Sequence, residues 1–296
     1  MIGMLAGADA TEFWRMGECL GLEEPTRWHA LSAHRGRYVW CVESANERVI
    51  VRAFREGDKI SAAREQHAMT IARQAGLPVP ALHRTVHYAG RSLMVVEWCR
   101  GQSLSSILAN RPWMARTLGR IFGEQQARLH EAWRACCAVH NWISCFGPVD
   151  PALGEALAVT ARPHCLLHLD YHPANVVFDG NQVSGIIDWT NARIGDPRAD
   201  LARTWSLLHL VFRSRRRRPV RRWAEIEFMD AWKLGYECLA GPQSDMPLFM
   251  TWAVEGLIRT DATEDDGRHR QSLLALAASM RAKVGLPPRP RSPYTW

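Results

Sequence analysis

Residues 168–175 read HLDYHPAN, and Asp188 follows thirteen residues beyond Asn175, inside IIDWTNARIGDPRADLA. Moving a phosphoryl group needs few protein parts: a carboxylate to orient the attacking hydroxyl, oxygen ligands for magnesium, and cations on the phosphates. Asp170 is the candidate base. Asn175 and Asp188 are candidate magnesium ligands, because that ion takes hard oxygen donors. His172 is a candidate donor to the transferring phosphate. The plainer alternative is a turn, since Asp and Asn both favour Asx turns and Asp-x-x-x-x-Asn alone recurs by chance. For His172 a structural role competes equally. What favours a site is the ordered set: His, Asp, Pro, Asn, an Asp-Gly turn, an apolar strand ending in Asp-Trp, then Gly195-Asp196-Pro197 and Asp200-Leu201-Ala202. Within that set Asp196 reads as a helix N-cap ahead of Pro197 more readily than as a phosphate or metal contact.

On HLDYHPAN and the Asp188 segment, the chain resembles the aminoglycoside phosphotransferase and choline kinase-like family, a small-molecule branch of the protein-kinase-like fold. Leu169 stands where that family usually has glycine. The resemblance spans roughly residues 30 to 240. It implies Asp170 as base, Asn175 and Asp188 as magnesium ligands, and His168 and Asp200 as braces of the loop. It also implies ATP as phosphate donor, GTP not being excluded, and a third-strand cation paired with a helical glutamate. The three lysines, Lys59, Lys233 and Lys283, all lie outside apolar strands, so that cation is Arg52 and its partner Glu65. Arginine keeps its charge and forks well onto phosphate oxygens. MVVEWCRGQSL (94–104) is similar to the family's hinge, where backbone groups near Glu97 and Cys99 would meet the adenine edge. As plain sequence it is also a buried strand leaving a sheet. LSAHRGRYVW (31–40) has one glycine, Gly36, where a phosphate-covering loop is implied, with Ser32 or the amides around Gly36 as candidate contacts.

The elements needed to position these groups form an α+β, two-lobed pattern: a β-rich part over 1–100 and a mainly helical part over 101–296. YVWCVES and ERVIVRAF predict a hairpin about Ala45-Asn46, residues 60–75 a helix, and RTVHY with RSLMVVEW a second hairpin about Ala89-Gly90. A further helix is read near Asp9 to Cys19. Beyond Gly101, Leu118, Phe122, Leu129 and Trp133 recur at helical spacing within 112–138, and 198–214, 219–239 and 268–283 also read as helices. HCLLHLD and NVVFDGNQVSGIID form a short strand-like island between them.

The chain has 296 residues, 47% hydrophobic and 23% charged, enough for roughly two lobes. No apolar run reaches the ~18 residues of a membrane span, and the start lacks a basic region ahead of an apolar core, so a cytoplasmic protein is expected. The eight cysteines contain no CxxC pair, which points to free thiols. Of the net charge of +7, Arg213, Arg215, Arg216, Arg217, Arg218, Arg221 and Arg222 form one local cluster. That run raises a rival reading, a nucleic-acid or acidic-partner surface, against a solvated loop and helix start. A second rival, a pseudokinase, arises from Arg52 and the glycine-poor loop. The resemblance implies a small-molecule hydroxyl acceptor, and the 24 Lys and Arg against 19 Asp and Glu of residues 101–296 lean towards a neutral or anionic one over a strongly polycationic one. The thirteen tryptophans, Trp205, Trp223, Trp232 and Trp252 among them, suit core packing better than a pocket. PPRPRSPYTW at the end reads as a flexible tail.

Overall fold

The structure is a computed structural model and describes residues 10–22, 27–34, 36–45, 47–132, 142–161, 164–212, 219–260 and 267–288. The end of the helix read to 138, Cys136 and Cys137, most of the arginine run (213–218) and most of the C-terminal tail lie outside the described residues. Two compact units divide the chain, one of Met1–Gln102 with Val177–Thr190 and one of Ser103–Val176 with Asn191–Trp296.

In the first unit, α1 (Ala10–Cys19) precedes β1 (Arg27–His34), β2 (Arg37–Glu43) and β3 (Arg48–Ala53). Then come α2 (Lys59–Gln74), β4 (Leu82–Tyr88), β5 (Arg91–Glu97) and the two-residue β6 (Gln102–Ser103). The first five strands make one sheet in the order β1-β2-β3-β5-β4, with antiparallel neighbours. The period of two explains its layering: Tyr38, Trp40, Val42, Val49, Val51, Ala53, Leu93 and Val95 share one buried cluster with Met16 and Leu20 of α1. Arg52 therefore projects from the opposite face. Helix α2 is capped by Asp58, whose Oδ1 accepts from the Ser61 N–H at 3.0 Å.

The segment expected to cover phosphate is a strand for most of its length. Ser32 of β1 pairs with Val39, and Gly36 (φ +76°) makes the turn into β2. A bulge between Ala30 and Ser32 shifts the register within β1.

The second unit begins with α3 (Leu104–Asn110) and α4 (Ala115–Ala132), then α5 (Pro151–Thr160) and β7 (Cys165–Leu167). The chain then returns to the first unit with β8 (Val176–Phe178) and β9 (Val183–Ile186), which form a short sheet with β6, and in the second unit β10 (Arg193–Gly195) pairs with β7. Helices α6 (Pro197–Phe212), α7 (Pro219–Ala240), α8 (Met246–Thr260) and α9 (Gly267–Lys283) complete it. Helices α4 and α7 come into backbone contact where glycine removes a side chain: a Cβ on Gly119 would strike the Phe228 carbonyl, and one on Gly123 the Trp232 carbonyl. A second core gathers Trp142, Phe146, Leu153, Leu157, Leu167, Phe249 and Trp252. Trp232 and Trp252 are thus core residues, whereas Trp223 is exposed. Among the described residues no helix is long and apolar enough to cross a membrane.

Candidate active site

In the second unit β7 delivers the chain into the loop 168–175, and every support of that loop is buried. Leu169 sits in the left-handed region (φ +59°) although it is not glycine, and it is fully buried. Its N–H donates to Asp200 Oδ1 at 2.5 Å, and its carbonyl accepts from Arg203 Nε at 3.4 Å. Asp200 Oδ2 also lies 3.0 Å from His130 Nε2 and accepts from Gln126 Nε2 at 3.2 Å. Burial raises the Asp200 pKa, but the hydrogen bond and charge of His130, the charge of His168 and the Leu169 N–H outweigh it, so the carboxyl lies below its ordinary range. Tyr171 is buried as well, donating its hydroxyl to the Phe122 carbonyl at 2.9 Å and stacking on that ring.

On this base the loop brings together Asp170, His172 and Asn175. The Asn175 amide nitrogen donates to the Asp170 carbonyl at 3.0 Å. A carbonyl only accepts, which fixes the amide's orientation and reserves Oδ1 as an acceptor suited to a hard cation. His172 caps the turn Pro173–Asn175: its Nδ1 accepts from the Ala174 N–H at 3.3 Å. Its Nε2 lies 3.2 Å from the Asn175 amide nitrogen and 3.9 Å from Asp170 Oδ1. The Asp170 side chain is about a quarter exposed. His168, by contrast, is fully buried, and its Nδ1 accepts from the Asp170 N–H at 3.3 Å.

The first unit assembles Arg52, Glu65 and Asp188. Arg52 Nη1 lies 2.7 Å from Glu65 Oε1, an ion pair whose N–H is not aligned for a hydrogen bond. Nη2 donates to Asp188 Oδ1 at 2.8 Å. The always-charged fork of arginine thus spans two carboxylates at once. Burial opposes the Arg52 charge, but Glu65 and Asp188 more than offset it and raise the guanidinium pKa. Burial pushes the Glu65 carboxyl up, Arg52 pulls it down, and the like charge of Asp188 adds to the rise. Asp188 has φ +65° and stands at the end of β9, where the Trp189 indole donates to the Ile186 carbonyl at 2.9 Å. Two carboxylates facing one guanidinium leave a local excess of negative charge and hard oxygen donors, which suits a magnesium ion at Asp188. Among the described residues no three or more His, Cys, Asp or Glu converge on one metal position. Magnesium does not require that, since it keeps waters and substrate phosphates in its shell.

The hinge candidates Glu97 and Cys99 belong to the first unit. The Glu97 N–H donates to the Ala81 carbonyl at 2.8 Å, and its carboxylate accepts from the Ala81 N–H at 2.9 Å, so both are committed to the neighbouring segment. Cys99 is partly buried beside Gly185, where an added Cβ would strike its sulfur. Burial, with the Glu97 charge adding, pushes its thiol up to about 12, and it stays a neutral thiol. Asp196 takes the cap position: its Oδ1 accepts from the Arg198 N–H at 2.9 Å while Arg198 Nη2 donates to Oδ2 at 2.7 Å, both side chains fully buried.

Sequence reasoning passed over Thr190, whose hydroxyl lies 2.7 Å from Asp188 Oδ1 and 3.0 Å from Glu65 Oε2. It also passed over His130, Gln126 and Arg203 beneath the loop. For Thr190 the available signal was its place two residues after Asp188; the others are helical residues whose inward faces look like core.

Several solved structures share this fold. An aminoglycoside phosphotransferase APH(4)-Ia mutant, in ternary complex with AMP-PNP and hygromycin B, matches at 12% identity and TM-score 0.64, covering 92% of this chain and 98% of that one. ADP-bound aminoglycoside phosphotransferase APH(2'')-Ib matches at 15% identity and TM-score 0.57, covering 94% and 99%. A putative fructosamine-3-kinase from Haemophilus somnus 129PT matches at 11% identity and TM-score 0.59, covering 90% and 95%. A comparison with curated proteins found no match. The model of the phosphotransferase enzyme family matches residues 28–142 and 139–247, well over half of the sequence. With a kinase-like fold and that match, the chain belongs to the phosphotransferase enzyme family.

Proposed function

We propose that this phosphotransferase moves the γ-phosphoryl group of ATP to a hydroxyl of a small molecule, with Asp170 as base and Asn175 and Asp188 as magnesium ligands. The observation that carries this reading is the loop itself: Asp170 has a partly exposed carboxylate, while the Asp200 carboxyl, the Tyr171 side chain and the Asn175 amide that fix its backbone are all buried. Asp170 accepts the proton of the acceptor hydroxyl as its oxygen attacks the γ-phosphorus. The bond from that phosphorus to the β–γ bridging oxygen breaks, and ADP leaves with the electron pair. Arg52, charged and braced by Glu65, holds phosphate oxygens. Magnesium, when bound, neutralises charge on the β- and γ-phosphates. His172 donates toward the transferring group, and backbone groups around Cys99 meet the base of the nucleotide.

The named neighbours act on aminoglycosides and fructosamines, so a polyhydroxylated small molecule is the natural class to try first. The excess of basic over acidic residues in 101–296 favours neutral or anionic members of that class. A panel of alcohols, sugars and antibiotics incubated with the protein, ATP and magnesium, and read by mass spectrometry, tests the reading. One added phosphate on one class supports it. No phosphate transfer and no ATP hydrolysis across a broad panel would favour the pseudokinase reading that Arg52 raises.

A further inference from the structure

Thr190 is almost fully buried, and its hydroxyl sits among the side chains of Arg52, Glu65 and Asp188. It lies 2.7 Å from Asp188 Oδ1, 3.0 Å from Glu65 Oε2 and 3.4 Å from Arg52 Nη2. With the two contacts of Arg52, the four side chains close a ring: guanidinium, Glu65, threonine hydroxyl, Asp188 and back. A hydroxyl has one proton, so it donates to one carboxylate at a time, and the shorter distance assigns that proton to Asp188. From the same helix that supplies Glu65, Arg64 Nη1 donates to the Thr190 carbonyl at 3.4 Å.

Arg52 Nη2 and the Thr190 hydroxyl donate to the same oxygen of Asp188, Oδ1. Two donors on one oxygen fix the carboxylate's rotation about its Cβ–Cγ bond and so determine the direction of Oδ2. Arginine alone would leave that plane less constrained, because its fork is shared with Glu65. A β-branched threonine is stiff at χ1, which places its hydroxyl in advance, where a serine would sample more rotamers.

We propose that Thr190 is a positioning residue for the phosphate transfer: by holding Asp188 Oδ1 within the ring of Arg52 and Glu65, it sets the orientation in which Asp188 receives magnesium. The inference rests on the reading of Asp188 as a magnesium ligand and adds a residue to it. Its signature is metal dependence, since Thr190 touches neither nucleotide nor acceptor in this role.

The test is calorimetric ADP binding across a magnesium titration, with initial rates on a responsive acceptor, for wild type, Thr190→Val and Thr190→Ser. Thr190→Val keeps the shape and removes the donor; the expected result is a half-saturating magnesium concentration raised about tenfold, equivalent to ~1.4 kcal/mol. ADP affinity without magnesium and kcat at saturating magnesium should stay within about threefold, and Thr190→Ser should restore the magnesium dependence to within about threefold of wild type. Thr190→Ala carries the same expectation if the valine variant melts early. A valine or alanine variant with the wild-type magnesium dependence, or one that loses metal-free ADP binding equally, would overturn the inference and leave the Asp188 reading standing. A wild-type protein whose ADP binding ignores magnesium would overturn both, at Asp188.

Discussion

Leu169 shows how much the loop demands of one residue: it is fully buried and adopts φ +59°, a backbone region that costs a non-glycine residue roughly 1–2 kcal/mol. The Asp200 carboxylate on its N–H and Arg203 on its carbonyl hold it there. Leu169→Gly would relieve the strain but remove a buried side chain, a loss on the order of 3 kcal/mol or more. The second effect is larger, so the glycine variant is expected to melt earlier than wild type by thermal denaturation; a rise in Tm would show that strain dominates. Asp200 makes a second prediction. Its folded pKa is depressed, so its stabilisation is present above the unfolded value of about 4 and is lost as pH falls below it toward the folded pKa. Urea unfolding between about pH 5 and pH 2 should show a stability loss that Asp200→Asn flattens, at the cost of lower stability at neutral pH. At Arg52, lysine keeps the charge but cannot span Glu65 and Asp188 with one ammonium. Arg52→Lys should raise the KM for nucleotide about tenfold, whereas Arg52→Ala, which strands a fully buried Glu65, should also destabilise the protein by about 3–5 kcal/mol. An unchanged KM in the lysine variant would speak against the bridging role.

At the scale of elements, what could be read from sequence depended on whether burial left a periodic trace. Helix α4 has one buried face, with Leu118, Phe122 and Leu129 on it, and its spacing showed. Helix α8 did not show, because ten of its fifteen residues, from Leu248 to Ile258, are buried and leave no polar stripe to mark a period. The Ala-rich α5 and the seven-residue α3 are too uniform or too short for the same reason. Strand β3 was legible as a run of β-branched residues, and with it the outward-facing Arg52 and the expectation that Glu65 would meet it. The loop HLDYHPAN was legible as a motif, but its supports were not: His130, Gln126 and Arg203 lie on helices whose pairing no single sequence specifies. The glycines at 119 and 123 were silent for the same reason, since only the partner helix shows that a Cβ would meet carbonyl oxygens. Gly123→Ala should therefore destabilise by about 1–3 kcal/mol despite alanine's better helix propensity. A Tm equal to or above that of wild type would mean that α4 and α7 can separate at small cost.

For the whole molecule, charge and composition constrained the partner more than the mechanism. The described arginines of the basic run, Arg221 and Arg222, are exposed at the start of α7, which suits a solvated helix start and a basic binding surface alike. The family match and the fold give the reaction class, and the acceptor follows from measurement on a substrate panel. The central claim is that Asp170 acts in the transition state and takes no part in holding the nucleotide. Single-turnover phosphate transfer by Asp170→Asn, with magnesium-ADP affinity measured on the same preparation, tests it most directly. The rate is expected to fall by about 100-fold or more, with affinity within about twofold of wild type. Transfer at the wild-type rate, or a loss of nucleotide affinity as large as the loss of rate, would contradict the assignment.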